Sequence, residues 1–292
     1  QLIESEEEAR KICDYFLTKE ILSFDTETTS TNAIDAELVG LSFSVEEFKA
    51  AYVAVPAERE AAQRMVDIFR PLYEDEHIMK VGQNIKYDYE VLRRYGIEVR
   101  GPMFDTMLAH YIVQPELHHN MDYMAETLLG YQTIHIDQLI GPRGKGQRSM
   151  RDLLPQEVYE YAAEDADVTL RLKNVLEQKL KEVDGERLFY DIEMPLVPVL
   201  AEMELTGVCL DTAALAETGK NFNRRLAEYE QKIYAEAGET FNISSPKQVG
   251  DILFGKMKIV DKPKKTKTGQ YVTSEEVLTQ LRSRAPIVDD IL

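Results

Sequence analysis

The chain has 292 residues, 44% of them hydrophobic and 29% charged, with 52 acidic against 34 basic residues and a net charge of -18. Such a composition supports a folded globular protein with room for two domains; it excludes a disordered chain and one that grips nucleic acid by overall basicity, because phosphate contacts draw on Lys and Arg. Two cysteines, Cys13 and Cys209, make neither a disulfide framework nor a zinc cluster, so a reducing cytoplasm is the expected setting. The start QLIESEEEARK lacks the basic-then-apolar pattern of a secretion signal, and no apolar run approaches the ~20 residues of a membrane span. No membrane association is expected, and the chain reads as a piece of a larger soluble protein.

In chain order, EILSFDTET, LVGLSFSVE and AAYVAVP run or alternate apolar over strand lengths and predict a three-stranded meander. Helical spacing of Ala62, Met65, Val66, Phe69 and Leu72 predicts a helix over 58–74. IMKVGQN predicts a fourth strand, DYEVLRRYG a helix ended by Gly96, and MFDTMLAHYIV a short strand feeding a helix. From 121 to 184 the pattern is helical, interrupted by the loop GPRGKGQRS at 141–149. Residues 1–185 are therefore expected to form an α/β domain with a mixed sheet. After a break near Val183-Asp184-Gly185, residues 186–292 are mainly helical, with MPLVPVLAEMEL and an amphipathic stretch over 215–237. Ser245 before Pro246 has the form of an N-cap with Pro at the first helical position, and the six lysines between 256 and 267 predict an exposed tip.

Asp25 and Glu27, in SFDTETTS, end the first of these strands. Period-two geometry puts both side chains on one face, where they can address one ion, and Thr26 on the other. Asn84 and Asp88 stand i and i+4 at a strand-to-helix junction, and Tyr161 and Asp165 repeat that spacing in YAAEDADVTLRL, with Glu164 and Asp167 projecting elsewhere. Each element alone has an ordinary reading: a turn, a helix cap with a surface acid, a core aromatic. Together, four acids without a neutralising Lys or Arg repel one another strongly in a partly buried site, and a divalent cation is the natural compensation. Oxygen-only ligands favour Mg²⁺ or Mn²⁺ over zinc. Two such ions about 3.5–4 Å apart can activate a water and stabilise the leaving oxygen in phosphodiester hydrolysis.

Asp25-Thr26-Glu27-Thr28, Asn84-x-x-x-Asp88 and Tyr161-x-x-x-Asp165, in this order, resemble the three motifs of the DEDD exonucleases with Tyr in the third. GQNIKYD and YAAEDADVTL resemble the 3'-5' proofreading domain of the bacterial DNA polymerase I family (family A) over whole strings. The likeness continues through IEMPLVPVL, FNISSPKQ and TSEEVL into the start of the polymerase domain and its thumb. The resemblance implies a ribonuclease-H-like exonuclease domain followed by a mainly helical, thumb-like segment. It further implies catalytic residues Asp25, Glu27, Asp88, Tyr161 and Asp165, with the four acids holding two ions and Tyr161, with Glu27, orienting the attacking water. The implied partner is DNA, as a single-stranded 3' end or primer terminus, bound by a monomer acting in replication and repair. The string ends at IVDDIL without any palm or fingers motif, so no nucleotide addition is expected of this chain alone.

Thr28, Gln83 and Asn84, flanking the motifs, are expected to touch DNA. Thr31 stands where the family often has a Leu that wedges between terminal bases, and Ile136 where it has a stacking Phe, a loss on the scale of ~1–3 kcal/mol per base. GPRGKGQRS lacks the Walker spacing, since Gly146 is followed by Gln147, but Lys145 and Arg148 are candidates for backbone contact. His118 and His119 lack ligand-spaced partners and are expected to be surface or loop histidines. The competing expectations are an RNA-trimming exonuclease resembling ribonuclease D, and a catalytically weak domain kept for DNA binding or support.

Overall fold

The apolar run that ends in SFDTETTS becomes a central strand of a six-stranded sheet. The computed structural model describes residues 1–292 and divides into two compact units, Gln1–Gly207 and Val208–Leu292. In the first unit the chain runs β1 (Leu2–Ile3), α1 (Glu6–Phe16), β2 (Ile21–Thr28), β3 (Leu38–Glu46), β4 (Lys49–Ala54), α2 (Arg59–Ile68) and α3 (Arg70–Glu74). It continues through β5 (Met79–Gly82), α4 (Ile85–Arg93), β6 (Met103–Asp105), α5 (Thr106–Val113), α6 (Met121–Met124) and α7 (Asp137–Ile140). The 28-residue α8 (Pro155–Glu182), then α9 (Glu186–Leu188) and α10 (Met194–Thr206), complete the unit.

Strand order is β1-β4-β3-β2-β5-β6. The expected meander pairs antiparallel as β2–β3–β4, and β5 and β6 continue from β2 in parallel. This is the mixed sheet of the expected ribonuclease-H-like arrangement. β1 was not foreseen: two residues carry no periodicity, and it exists by pairing Leu2 and Ile3 parallel to Tyr52 and Val53. The helix expected over 58–74 is broken, because Pro71 has no N–H to donate and its ring clashes with the preceding turn, so α2 ends and α3 starts anew around Phe69.

One face of the sheet buries Phe24 and Phe43 under α1, α2 and α3. Phe43 stacks on Phe69 at 4.8 Å and Phe24 meets Tyr73 edge-on at 5.1 Å. On the other face lies α8, whose residues Val158, Ala162, Ala166, Leu172 and Leu176 recur at helical spacing and are buried. Small residues at 162 and 166 let the helix approach β2 and β3 closely. Gly40 in β3 makes room for the Tyr52 ring of β4, since a Cβ there would lie 2.1 Å from it. Gly40 pairs with Glu27, and the register shifts between Glu27 and Thr28, a bulge that re-aims the end of β2.

Packing divides the chain later than the break expected at 185. Phe189 and, from α10, Met194, Val197 and Ala201 are buried in the core of the first unit, with α10 lying along α4. In the second unit, α11 (Thr212–Ala237) starts at Asp211, whose carboxylate accepts the Ala214 N–H at 2.9 Å. Its end packs Ile233 and Ala237 against Leu253, Phe254 and Ile287. Ser245 caps the short helix Pro246–Gly250 as expected. All six tip lysines are exposed, and Lys256 donates to the Ala237 carbonyl at the end of α11. No helix is long and apolar enough to cross a membrane.

Candidate active site

Three elements deliver the acids. β2 presents Asp25 and Glu27, α4 presents Asp88 from its first turn, and α8 presents Asp165. Carboxylate oxygens of Asp25, Glu27 and Asp165 lie within 4.8 Å of one another. Glu27, Asp88 and Asp165 are buried and Asp25 is half-buried. None of the four is in an ion pair; every such pair in the chain lies elsewhere.

The electrostatics follow from that geometry. Burial pushes Asp25 up to about 7. Burial first, and then the charge of Asp25, hold Glu27 and Asp88 well above the usual carboxylate range. Asp165 is raised by burial and by both Asp25 and Glu27. Burial, then Asp165, Glu27 and Asp25, push the Tyr161 phenol far above its ordinary value, so it stays protonated at neutral pH. A cluster of hard oxygen donors that resists its own ionisation and has no cation of its own fits a divalent metal ion, which would restore all the charges at once.

Thr26 occupies the other face of β2, as expected, yet it serves the site. Its N–H and its hydroxyl both donate to Asp88 Oδ1, at 3.0 and 2.6 Å, fixing that carboxylate beside Asp25. Asn84 departs from the expected i, i+4 pairing with Asp88: it has left-handed backbone (φ 60°, ψ 46°), and the helix starts at the next residue. Its side chain makes no cap bond and is exposed. As expected, Glu164 and Asp167 project away, Glu164 to the Tyr131 hydroxyl and the Ile134 N–H, Asp167 to Arg171.

The acids and Tyr161 sit in a cleft of about 710 Å³. Thr28, Thr31, Gln83, Asn84, Ile136 and Arg148 line it too, whereas Lys145 is exposed on the 141–149 loop outside the lining. Three of these are already occupied within the protein. The Gln83 amide donates to the His119 carbonyl at 2.9 Å and its oxygen accepts from Thr106, while the Thr28 hydroxyl is bonded to Tyr87 and to the Ser30 carbonyl. Arg148 donates to the Asp152 carbonyl. His118 is exposed, and His119 packs Nδ1 to Nδ1, at 2.8 Å, against the buried His110.

From the sequence Tyr87 reads only as a packed tyrosine beside the site; its hydroxyl in fact ties the lip of the cleft after β2, and Asp105, almost wholly buried, is a further residue of the site that the motifs do not mark. Asp105 was legible as a cap, since an Asp between a short strand and an apolar helical run is an N-cap pattern. That it also reaches a second helix was not.

A carboxylate cluster at the end of a central strand of a mixed sheet, with a neutral tyrosine beside it, defines the class of metal-dependent nucleases built on ribonuclease-H-like folds. The chain belongs to the 3'-5' exonuclease family, whose model matches residues 1–181, and a model for DNA polymerase family A matches 212–292. Similar curated proteins include DNA polymerase I of Pseudomonas aeruginosa, 41% identical over 90% of this chain, and that of Rhizobium leguminosarum, 40% identical over 89%. The chain spans 30% and 28% of the length of these two relatives. Among solved structures, the POL domain of Pol1 from M. smegmatis, in complex with DNA primer-template and dNTP, shares the fold with a TM-score of 0.77 at 22% identity, covering 100% of this chain and 47% of that one.

Proposed function

We propose that this chain hydrolyses phosphodiester bonds at DNA 3' ends, one nucleotide at a time, with two divalent ions, Mg²⁺ or Mn²⁺, as the proofreading part of a DNA polymerase I. Residues 1–185 are the nuclease and 186–292 the start of the polymerase domain with its thumb, in a monomer working in the cytoplasm. The observation that carries this reading is the meeting of Asp25, Glu27 and Asp165 within 4.8 Å, without a positive partner, on an exonuclease-family frame. An RNA-trimming role is not favoured, since the chain is 40–41% identical to two DNA polymerase I proteins. A purely structural role is disfavoured by the full set of four acids and Tyr161.

Asp25, Glu27 and Asp165 would hold one ion, and Asp25 with Asp88 the other. Bound there, the ions would polarise the scissile phosphate and lower the pKa of a water. Tyr161, kept protonated by its surroundings, donates a hydrogen bond that aims this water, and Glu27 accepts one from it. Attack of the water oxygen on phosphorus breaks the bond to the 3' oxygen of the penultimate nucleotide. The products are a nucleoside 5'-monophosphate and a strand one residue shorter with a free 3' hydroxyl. Thr31 and Ile136 line the cleft without an aromatic ring, so the terminal bases are held by weaker packing than a stacking Phe would give.

The test uses a single-stranded oligonucleotide with Mg²⁺ and compares the wild type with Tyr161→Phe. The wild type releases nucleoside 5'-monophosphates. Loss of one aiming hydrogen bond is expected to slow hydrolysis by about 10²-fold, the scale of a misplaced reactant, while Mn²⁺ affinity changes little. Release of 3'-monophosphates by the wild type contradicts the reaction. A large fall in Mn²⁺ affinity in Tyr161→Phe contradicts the role given to the hydroxyl.

A further inference from the structure

Two parallel strands, β5 and β6, end side by side, with Gly82 paired to Asp105, and each runs straight into a helix. The first amide groups of α4 and α5 therefore emerge as neighbours beneath the cleft, and both sets lack helical partners. A single side chain reaches into both sets. Asp105 Oδ1 accepts from Met107 at 2.8 Å and Leu108 at 3.2 Å, the start of its own helix, and from Asn84 at 3.3 Å. Its Oδ2 accepts from Ile85 at 2.9 Å, the first residue of α4. The next residue extends the tie, since the Thr106 hydroxyl lies 3.2 Å from the Gly82 carbonyl and 2.5 Å from Gln83 Oε1.

The consequence concerns Asp88. Asn84 spends its own conformation on the left-handed turn and makes no cap with its side chain, so α4 begins without a local cap. Its start is held by a carboxylate from the neighbouring strand instead. Asp88 is one turn further on and meets Thr26 through a single oxygen. A shift of α4 along or around its axis would take Asp88 off Thr26 and away from Asp25, because nothing else bonded to Asp88 would hold it.

We propose that Asp105 is a positioning residue of the nuclease site: by capping α4 and α5 together it sets the register of the helix that carries Asp88, and so the second ion position. This rests on the metal-dependent reading given above. Asp105 touches neither substrate nor ion; it acts through α4. Partners that orient metal-holding groups typically contribute 10–100-fold in metal affinity or activity.

The test separates the two capping duties. In Asp105→Ser a short hydroxyl can still cap α5, as serine does at N-cap positions, but cannot span to Ile85. Mn²⁺ binding is followed by titration, and exchange of the Ile85 amide by hydrogen exchange, in the full chain of the wild type, Asp105→Ser, Asp88→Ala and the double variant; Asp105→Asn, which keeps the size, is the second probe. The expected result is a cooperative melt a few degrees below the wild type for Asp105→Ser, faster exchange at Ile85, and weaker Mn²⁺ binding by about tenfold. Asp88→Ala should weaken binding at least as much, and the double variant should be no worse than Asp88→Ala, because Asp105 has no route to the ion except Asp88. Unchanged Mn²⁺ binding in both Asp105 variants overturns the proposal, and so does multiplication of the two losses in the double variant, which would mean a general structural defect. Absence of Mn²⁺ binding in the wild type would instead sink the metal-dependent reading beneath it.

Discussion

Replacing Asp25 or Asp165 by alanine is expected to lower phosphodiester hydrolysis by at least about a thousandfold, because losing an ion position removes several kcal/mol of transition-state stabilisation and each ~1.4 kcal/mol is tenfold in rate. The fold should survive. Both carboxylates are raised by burial, and Asp165 also by its acidic neighbours, so removing either relieves repulsion in the metal-free protein. Circular dichroism and a melting curve beside the rate measurement check both halves. Retained activity in either variant would take that carboxylate out of the proposed ion sites, and loss of folding would make it structural.

The second large effect is on stability. Without metal, the protein is expected to melt at progressively lower temperature as pH rises from 5 to 8. In the unfolded chain the aspartates and Glu27 ionise near 3.8 and 4.5, whereas in the folded protein Asp25 is held up to about 7, and burial and neighbouring charge hold Glu27, Asp88 and Asp165 well above the usual carboxylate range. Raised folded-state values mean that the associated stability is fully present below the unfolded values and is lost as pH climbs through the folded ones. Asp105, raised to about 6, and Glu90, raised to about 7, add to the same slope, while the buried His110, lowered by burial, opposes it weakly. Asp165→Asn should therefore flatten the slope without abolishing it. At pH 8, Mg²⁺ or Mn²⁺ at about a hundred times its dissociation constant should stabilise the native state by about 2.7 kcal/mol, or roughly 5–10 °C in a chain of this size. A melting temperature that is flat from pH 5 to 8 in EDTA, or indifferent to added metal, would contradict the electrostatic description of the cleft.

What could be read in the sequence was what repeats with a period or packs locally. SFDTETTS was legible as a strand end with two acids on one face, and α8 as a long helix whose Tyr161 and Asp165 share a side. Four things were not, each for a physical reason. Thr26 was assigned to the face away from the acids, which is right for the strand, but only tertiary packing of α4 shows that this face holds Asp88. Asn84 looked like the first residue of a helical i, i+4 pair, yet its cap was supplied from a different strand by Asp105, and no local pattern announces a cap donated across a sheet. Gln83, expected to meet DNA, has both ends of its amide committed to His119 and Thr106, a contact between segments far apart in the chain. Packing of α10 on α4 was likewise invisible, because an apolar helix after a glycine break reads as the start of something new.

The most direct test of the central claim is a time course on a 5'-labelled DNA single strand, alone and annealed as a blunt duplex, with Mg²⁺ or with EDTA. A ladder that shortens one nucleotide at a time from the 3' end is expected in Mg²⁺ and none in EDTA, with the single strand consumed faster because the terminal base of a duplex must first be unpaired at a cost of a few kcal/mol. Immediate release of labelled mononucleotide from the 5' end, or a ladder that persists in EDTA, would contradict it.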